Sequence, residues 1–264
     1  MVEVLKILSI MGNSNSEDLD QSELVDGYDA NLYYFPGRGL ADQIRWIMAY
    51  QSIHWTQQSI ESREQFLSLL NTDRLKFDQL PLLHIDGFDL VQSQSIIRYL
   101  ARRGSLDGST KKEQVACDII AESIKDKIML LANLPFQREN EEYKKNVFLQ
   151  FSKAFTKYET CLAENLQKTK ISGDDKSGTN INIEKCCMVG SSTTYVDILM
   201  AHLCTWYVEE AGADLLEKFP LITTLQRRIV SLPQVEAFIR SDCWYPVGNN
   251  KYKEMVSTVL DRKI

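Results

Sequence analysis

Glycine and proline are scarce, at 12 and 6 among 264 residues, against usual shares of roughly 7% and 5%. A chain so poor in breakers is neither collagen-like nor disordered throughout, and it leaves room for long uninterrupted helices. No apolar stretch reaches the about 18 residues that a membrane-spanning helix needs. The opening Met1–Met11 is apolar but short, carries one Lys, and lacks both a basic cluster and a small-residue cleavage site, so it does not read as a signal peptide. Positive charge is also short: 30 Lys and Arg stand against 36 Asp and Glu, a net charge of −6. Such a chain has no general attraction to nucleic acid or to an anionic membrane. The six cysteines (Cys117, Cys161, Cys186, Cys187, Cys204, Cys243) form no C-x-x-C, and His54, His84 and His202 are scattered. That argues against zinc and against a dithiol redox centre, and it reads as reduced thiols in a cytoplasmic protein. Hydrophobic residues at 44% and charged residues at 25% are ordinary for a globular chain.

What is present divides into two parts. Residues 1–29 read as an appended tail, because Asn13–Asp29 is polar, rich in Ser, Asn, Asp and Glu, and without helical period. Residues 30–105 alternate strand and helix. Leu32-Tyr33-Tyr34-Phe35 is a short aromatic run bounded by Pro and Gly, which predicts a buried strand. Leu40, Ile44, Ile47 and Met48 recur at helical spacing. Thr56–Ile60 suits a second strand, and Phe66–Leu70 a second helix. Leu82–Ile85 and Phe88–Val91 flank Asp86-Gly87, a pair suited to a tight hairpin whose two central residues need positive φ. A helix follows, with Ser93 as its expected N-cap and Ile96, Ile97 and Leu100 on one face. From 110 to 264 only helical patterns occur: Ile119–Leu134, Phe148–Leu162, Thr194–Gly212, Phe219–Leu232 and Asn250–Arg262. A polar stretch near 168–187 reads as an inserted loop.

Four places in this layout could carry chemistry, and each also has a plain structural reading. Tyr34 ends the first strand just before a Pro-Gly-Arg-Gly loop. A phenol there stays protonated at neutral pH and can donate to a thiolate or oxyanion, or it can simply pack. Gln79-Leu80-Pro81 precedes the hairpin. A cis Leu80–Pro81 bond would turn Leu80 toward a cleft, where it could pair with an extended peptide-like ligand; a trans proline would only open the strand. Gln92 and Ser93 stand at a helix N-terminus, which can receive a carboxylate or be an ordinary cap. Thr194-Tyr195-Val196-Asp197 has capping-box spacing and reads as a folding signal.

In this order and spacing, the segments resemble the cytosolic glutathione S-transferases of the tyrosine type, with alpha-like and sigma-like features mixed. The resemblance rests on Leu32–Phe35 through Arg38-Gly39, on Gln79-Leu80-Pro81, on Val91–Ile96 through Leu100, and on Gly190 followed by Thr194–Asp197. It covers about 31–264 apart from the insertion. It implies a thioredoxin-like α/β N-terminal domain, an all-α C-terminal domain and a homodimer. It implies that Tyr34 donates its hydroxyl to the glutathione sulfur. Leu80, before Pro81, would pair with the cysteinyl unit, and Gln92 and Ser93 would hold the γ-glutamyl end. Gln79 would border that cleft, and Asp126 would reach the partner subunit's ligand. Leu40, Met129 and Tyr245 would line a pocket for an apolar electrophile, and Phe77 would be the aromatic key of the dimer.

Two departures stand out. Leu40 and Leu70 occupy positions where alpha-class relatives carry Arg, with Arg74 or Lys76 as possible substitutes. A missing charge-assisted bond would weaken glutathione binding by about 1–3 kcal/mol. The leading expectation is conjugation of glutathione to apolar electrophiles in the cytoplasm, with glutathione as co-substrate and no metal. The alternatives are a glutathione-dependent isomerase of the prostaglandin-synthase kind and a non-catalytic ligand-binding or structural relative.

Overall fold

The computed structural model describes residues 30–172 and 186–262. The expected tail over 1–29 and most of the expected insertion, 173–185, lie outside the described residues.

The first domain is a mixed four-stranded sheet with helices. Its elements are β1 (Ala30–Tyr34), α1 (Asp42–Tyr50), β2 (Trp55–Ser59), α2 (Arg63–Leu70), β3 (Leu82–Ile85), β4 (Phe88–Val91) and α3 (Ser93–Arg103). The sheet order is β2-β1-β3-β4. β1 and β2 pair in parallel, which requires a crossover, and α1 supplies it. β3 runs antiparallel to both β1 and β4. Asp86 and Gly87 close the hairpin at φ 52° and 75°, the left-handed pair its sequence predicts. β1 is central, with Leu32 and Tyr34 both buried. α2 opens on a Ser62–Gln65 capping box, in which each side chain takes up a backbone N–H that the first turn leaves unpaired.

The second domain is helical throughout its described residues: α4 (Lys111–Asn133), α5 (Glu141–Ser172), α6 (Tyr195–Ala211), α7 (Pro220–Val230), α8 (Pro233–Ile239) and α9 (Asn250–Leu260). The fold is thus a thioredoxin-like α/β domain followed by an all-α domain, as the resemblance implies. Beyond shifts at several element ends, two features differ from the sequence reading. α5 continues to Ser172, inside the expected insertion, and Cys186 and Cys187 on its far side are buried. Beyond α7 the chain makes a further helix that hydrophobic spacing did not reveal. Pro233 opens it, because a proline's missing N–H is harmless in a first turn.

α6 forms the axis of the helical domain and packs against α1, α4 and α7. Most of its residues are buried on every side, as expected of a helix that is apolar all round. The Asp197 carboxylate stitches its start, accepting from Thr194 N at 2.7 Å, Thr194 Oγ1 at 3.0 Å and Met188 N at 2.7 Å. The predicted capping segment therefore also ties down the chain that re-enters after residue 185. The buried apolar side chains of both domains form one continuous core. No helix among the described residues is long and apolar enough to cross a membrane.

Candidate active site

Sheet register brings the separated motifs together. β1 pairs with β3 as Tyr33↔Leu82, and β3 with β4 as Leu82↔Val91. Continued one residue past these ladders, the register sets Tyr34, Pro81 and Gln92 opposite one another in a row at one end of the sheet, Pro81 and Gln92 just beyond the strands they flank. A phenol, a proline turn and a helix N-terminus therefore share one end of the sheet. The Leu80–Pro81 bond is cis. Leu80 lies outside the β1–β3 ladder, which begins at Leu82.

Tyr34 is buried, at 6% exposure, and faces a groove of about 570 Å³ that Leu40, Met129, Phe136, Tyr252 and Val256 also line. Its hydroxyl oxygen accepts from Leu40 N at 2.9 Å. Gly39 makes this possible. It sits at φ 46°, and a Cβ on it would run into the Tyr34 hydroxyl. Burial pushes the Tyr34 phenol above its ordinary value, against smaller opposing effects of the Leu40 amide and Arg45. The group is accordingly a neutral O–H at neutral pH. One oxygen lone pair is engaged by Leu40, and the hydrogen remains to be donated.

Behind the phenol lies a buried charged cluster that motif spacing did not reveal. Asp42 accepts from Arg45 Nη1 at 3.2 Å and lies 3.0 Å from His202 Nε2, and all three side chains are fully buried. Arg45 also donates to Gly37 O at 2.9 Å, and its guanidinium lies 6.0 Å from the Tyr34 ring. Burial alone would raise the Asp42 carboxyl. The His202 hydrogen bond and the charges of His202, Arg45 and Arg38 outweigh it and hold Asp42 below the usual range. Arg38 pairs with Glu209, donates to Tyr245 O at 2.6 Å, and stacks 3.9 Å from the Trp244 ring. The loop that carries Gly39 and Leu40 is thus pinned by Arg38 and Arg45 on its inner side.

The remaining expected residues divide. Gln79 and Gln92 come together, Gln92 Nε2 donating to Gln79 Oε1 at 3.2 Å. Ser93 is not the N-cap of α3. Gln92 holds that position at φ 69°, and no side chain caps the turn. Gln92 O accepts from Ser95 N and Ile96 N, which leaves the Ser93 and Gln94 amides outside that pairing. The φ of Gln92 is uncommon for a residue with a side chain, and the amides of this first turn are where a carboxylate could be received. Arg74, like Gln79, Leu80, Pro81, Gln92 and Ser93, is not among the residues that line the Tyr34 groove. It is held bidentately by Asp89, at 2.7 and 2.8 Å, and donates to the Tyr33 hydroxyl at 3.2 Å. Tyr33 points to the sheet face opposite that of Tyr34, because strand side chains alternate. Asp126 is exposed on α4, a turn before Met129, and does not line the groove. Leu40 and Met129 do line it, whereas Tyr245 lines a neighbouring cavity.

Both domains have known relatives. Family models for the glutathione S-transferase N-terminal and C-terminal domains match residues 30–102 and 125–242. Glutathione S-transferase A4 of Mus musculus is 32% identical over 230 residues, covering 87% of this chain and 96% of the relative. Glutathione S-transferase 3 of Gallus gallus is 31% identical over 233 residues, covering 87% and 93%.

The chain belongs to the glutathione S-transferase family.

A solved Pi-class glutathione S-transferase of Onchocerca volvulus shares the fold, with a TM-score of 0.68 at 24% identity, covering 84% of this chain and 99% of that one. As a glutathione S-transferase the protein is an enzyme, a transferase that uses glutathione. Among its described residues no group of His, Cys, Asp and Glu could hold a metal ion, and no disulfide joins its six cysteines.

Proposed function

We propose that this glutathione S-transferase binds glutathione along the row Tyr34, Pro81, Gln92 and joins its sulfur to apolar electrophiles held in the groove beside Tyr34. The observation that carries the reading is the Tyr34 phenol, buried, neutral, and supported on its oxygen by Leu40 N. Its O–H would donate to the glutathione sulfur and favour thiolate over thiol, the thiol proton leaving to solvent. The thiolate would then form a carbon–sulfur bond with the electrophile, whose leaving group departs or whose π electrons shift to an acceptor atom. The walls of the groove, Leu40, Met129, Phe136 and Val256 among them, favour an apolar partner. Leu80 would meet the cysteinyl backbone. Gln79, Gln92 and Ser93 would hold the γ-glutamyl group at the uncapped start of α3.

We propose further that two copies pair. Phe77 and Phe88 are each 56% exposed, and such apolar surface favours cover by a second chain. Asp126 would act across that contact. The absence of disulfides among six cysteines supports a cytoplasmic location.

The decisive experiment combines retention on glutathione-agarose with product analysis. One arm uses an apolar haloarene and the other a prostaglandin endoperoxide. Retention with thioether formation is the expected result. Isomerised endoperoxide without thioether would move the chain to the isomerase reading. Retention with neither product would move it to a ligand-binding role.

A further inference from the structure

A second cavity adjoins the groove. It holds about 380 Å³ between the Pro36–Gly39 loop, Trp206, Tyr245 and the chain from Pro246 to Met255. The residues that line both spaces are Gly39, Ala132 and Tyr252. Gly39 has no side chain and Ala132 has only a methyl group. The Tyr252 ring is therefore the one shared side chain large enough to part the two spaces.

That ring is built in. A Cβ on Gly37 would run into Tyr252 Cε2, and one on Gly248 would come within 3.0 Å of Tyr252 Cδ1, so both glycines leave the room the ring occupies. Phe136 packs at 6.2 Å between ring centroids. The backbone beneath is tied at both ends of α9: Asn249 Oδ1 accepts from Tyr252 N at 3.0 Å, and Arg63 donates to Val259 O at 3.0 Å.

We infer that the Tyr252 ring is a partition that sets how long an apolar electrophile this enzyme accepts. A chain running from the Tyr34 end of the groove meets the ring before it can reach the aromatic walls of the second cavity, Trp206 and Tyr245. The inference rests on the conjugation reading, since it assigns the groove to the second substrate. The partition belongs to the ring and not to its hydroxyl, so Tyr252→Phe should preserve it and Tyr252→Ala should remove it.

The test uses the full chain and two ligand series. In the first, calorimetry measures binding of S-alkylglutathiones from methyl to decyl. In the second, linear alkanols displace anilinonaphthalene sulfonate, with no glutathione present. Each buried methylene should tighten binding about fourfold until the chain reaches the ring. For wild type and Tyr252→Phe the gain should then level off. For Tyr252→Ala it should continue over several further methylenes. Tyr252→Leu, which keeps an apolar contact with Gly37 and Gly248, serves if the alanine variant does not fold, and should shift the plateau to longer chains. The same plateau in all folded variants would overturn the inference. A Tyr252-dependent plateau with alkanols, but no binding of S-methylglutathione, would sink the glutathione reading and leave the partition standing.

Discussion

Replacing Tyr34 by Phe removes one oxygen and leaves the ring in place. The loss has two parts. Leu40 N loses the acceptor it reaches at 2.9 Å. A part-buried amide so deprived costs about 1 kcal/mol, or roughly 2–4 °C in Tm for a chain of this size. The second part falls on the sulfur. A hydrogen bond from a neutral donor to a charged acceptor is worth about 1.5–3 kcal/mol, which moves the bound thiol's pKa up by about 1–2 units. Below that pKa the thiolate fraction drops about 10–100-fold. Part of the loss returns, because a more basic thiolate is the better nucleophile, with a sensitivity of about 0.4–0.5. The net fall in kcat/KM near neutrality is therefore roughly 3–15-fold, with glutathione binding almost unchanged. The measurement is kcat/KM from about pH 6 to pH 9, together with the ultraviolet absorbance of the bound thiolate. The inflection should move up with the thiol pKa, and the variant should close on wild type, or pass it, at the alkaline end. An unmoved inflection with unchanged turnover would remove the Tyr34 hydroxyl from the chemistry and refute the mechanism.

Three further outcomes follow from the same geometry. Gly39→Ala adds a methyl against the Tyr34 hydroxyl at a positive φ, so it should lower kcat as Tyr34→Phe does while costing about 1 kcal/mol or more of stability by denaturant unfolding. Arg74→Ala breaks a partly buried bidentate pair with Asp89, so it should cost about 1 kcal/mol and leave the glutathione KM unchanged; a KM several-fold higher would place Arg74 in the binding site. Asp42→Asn leaves Arg45 and His202 buried without their carboxylate, at a cost of about 3–5 kcal/mol at neutral pH. Because the Asp42 carboxyl sits below its ordinary value of about 3.9, its contribution is complete above that pH and is lost as pH falls through the lower, folded value. Wild-type Tm should drop over that acid window, and the variant's Tm should depend on pH less steeply.

What could be read from the sequence was governed by distance along the chain. Asp86-Gly87 specifies its turn by the conformations those two residues tolerate, so the hairpin was legible from eight or so neighbours. Tyr34, Pro81 and Gln92 were each legible as candidates for local reasons. That they form one row follows from the pairing of β1, β3 and β4. The positive φ at Gln92 leaves no mark in a sequence, because nothing about Gln favours it. Ser93 therefore looked like a cap when the residue before it held that position. Arg74 looked available for the same kind of reason: its engagement by Asp89 crosses a loop and a strand.

The buried cluster of Asp42, Arg45 and His202 is the extreme case. On a helix, Asp and Arg three residues apart are an ordinary surface pair, and spacing alone reads them so. Here α6 delivers His202 from 160 residues away and removes all three from water. A buried charged group is tolerated only when its partners are supplied with it, and Arg45 uses its remaining reach to hold Gly37 O. The contact that joins the domains is thereby the contact that braces the loop presenting Leu40 N to Tyr34. On this account the helical domain does more than wall the groove beside Tyr34. Through α6 it helps to set where the phenol's oxygen sits, so a substitution at His202, remote from the sulfur, should disturb the thiol's ionisation as well as the fold.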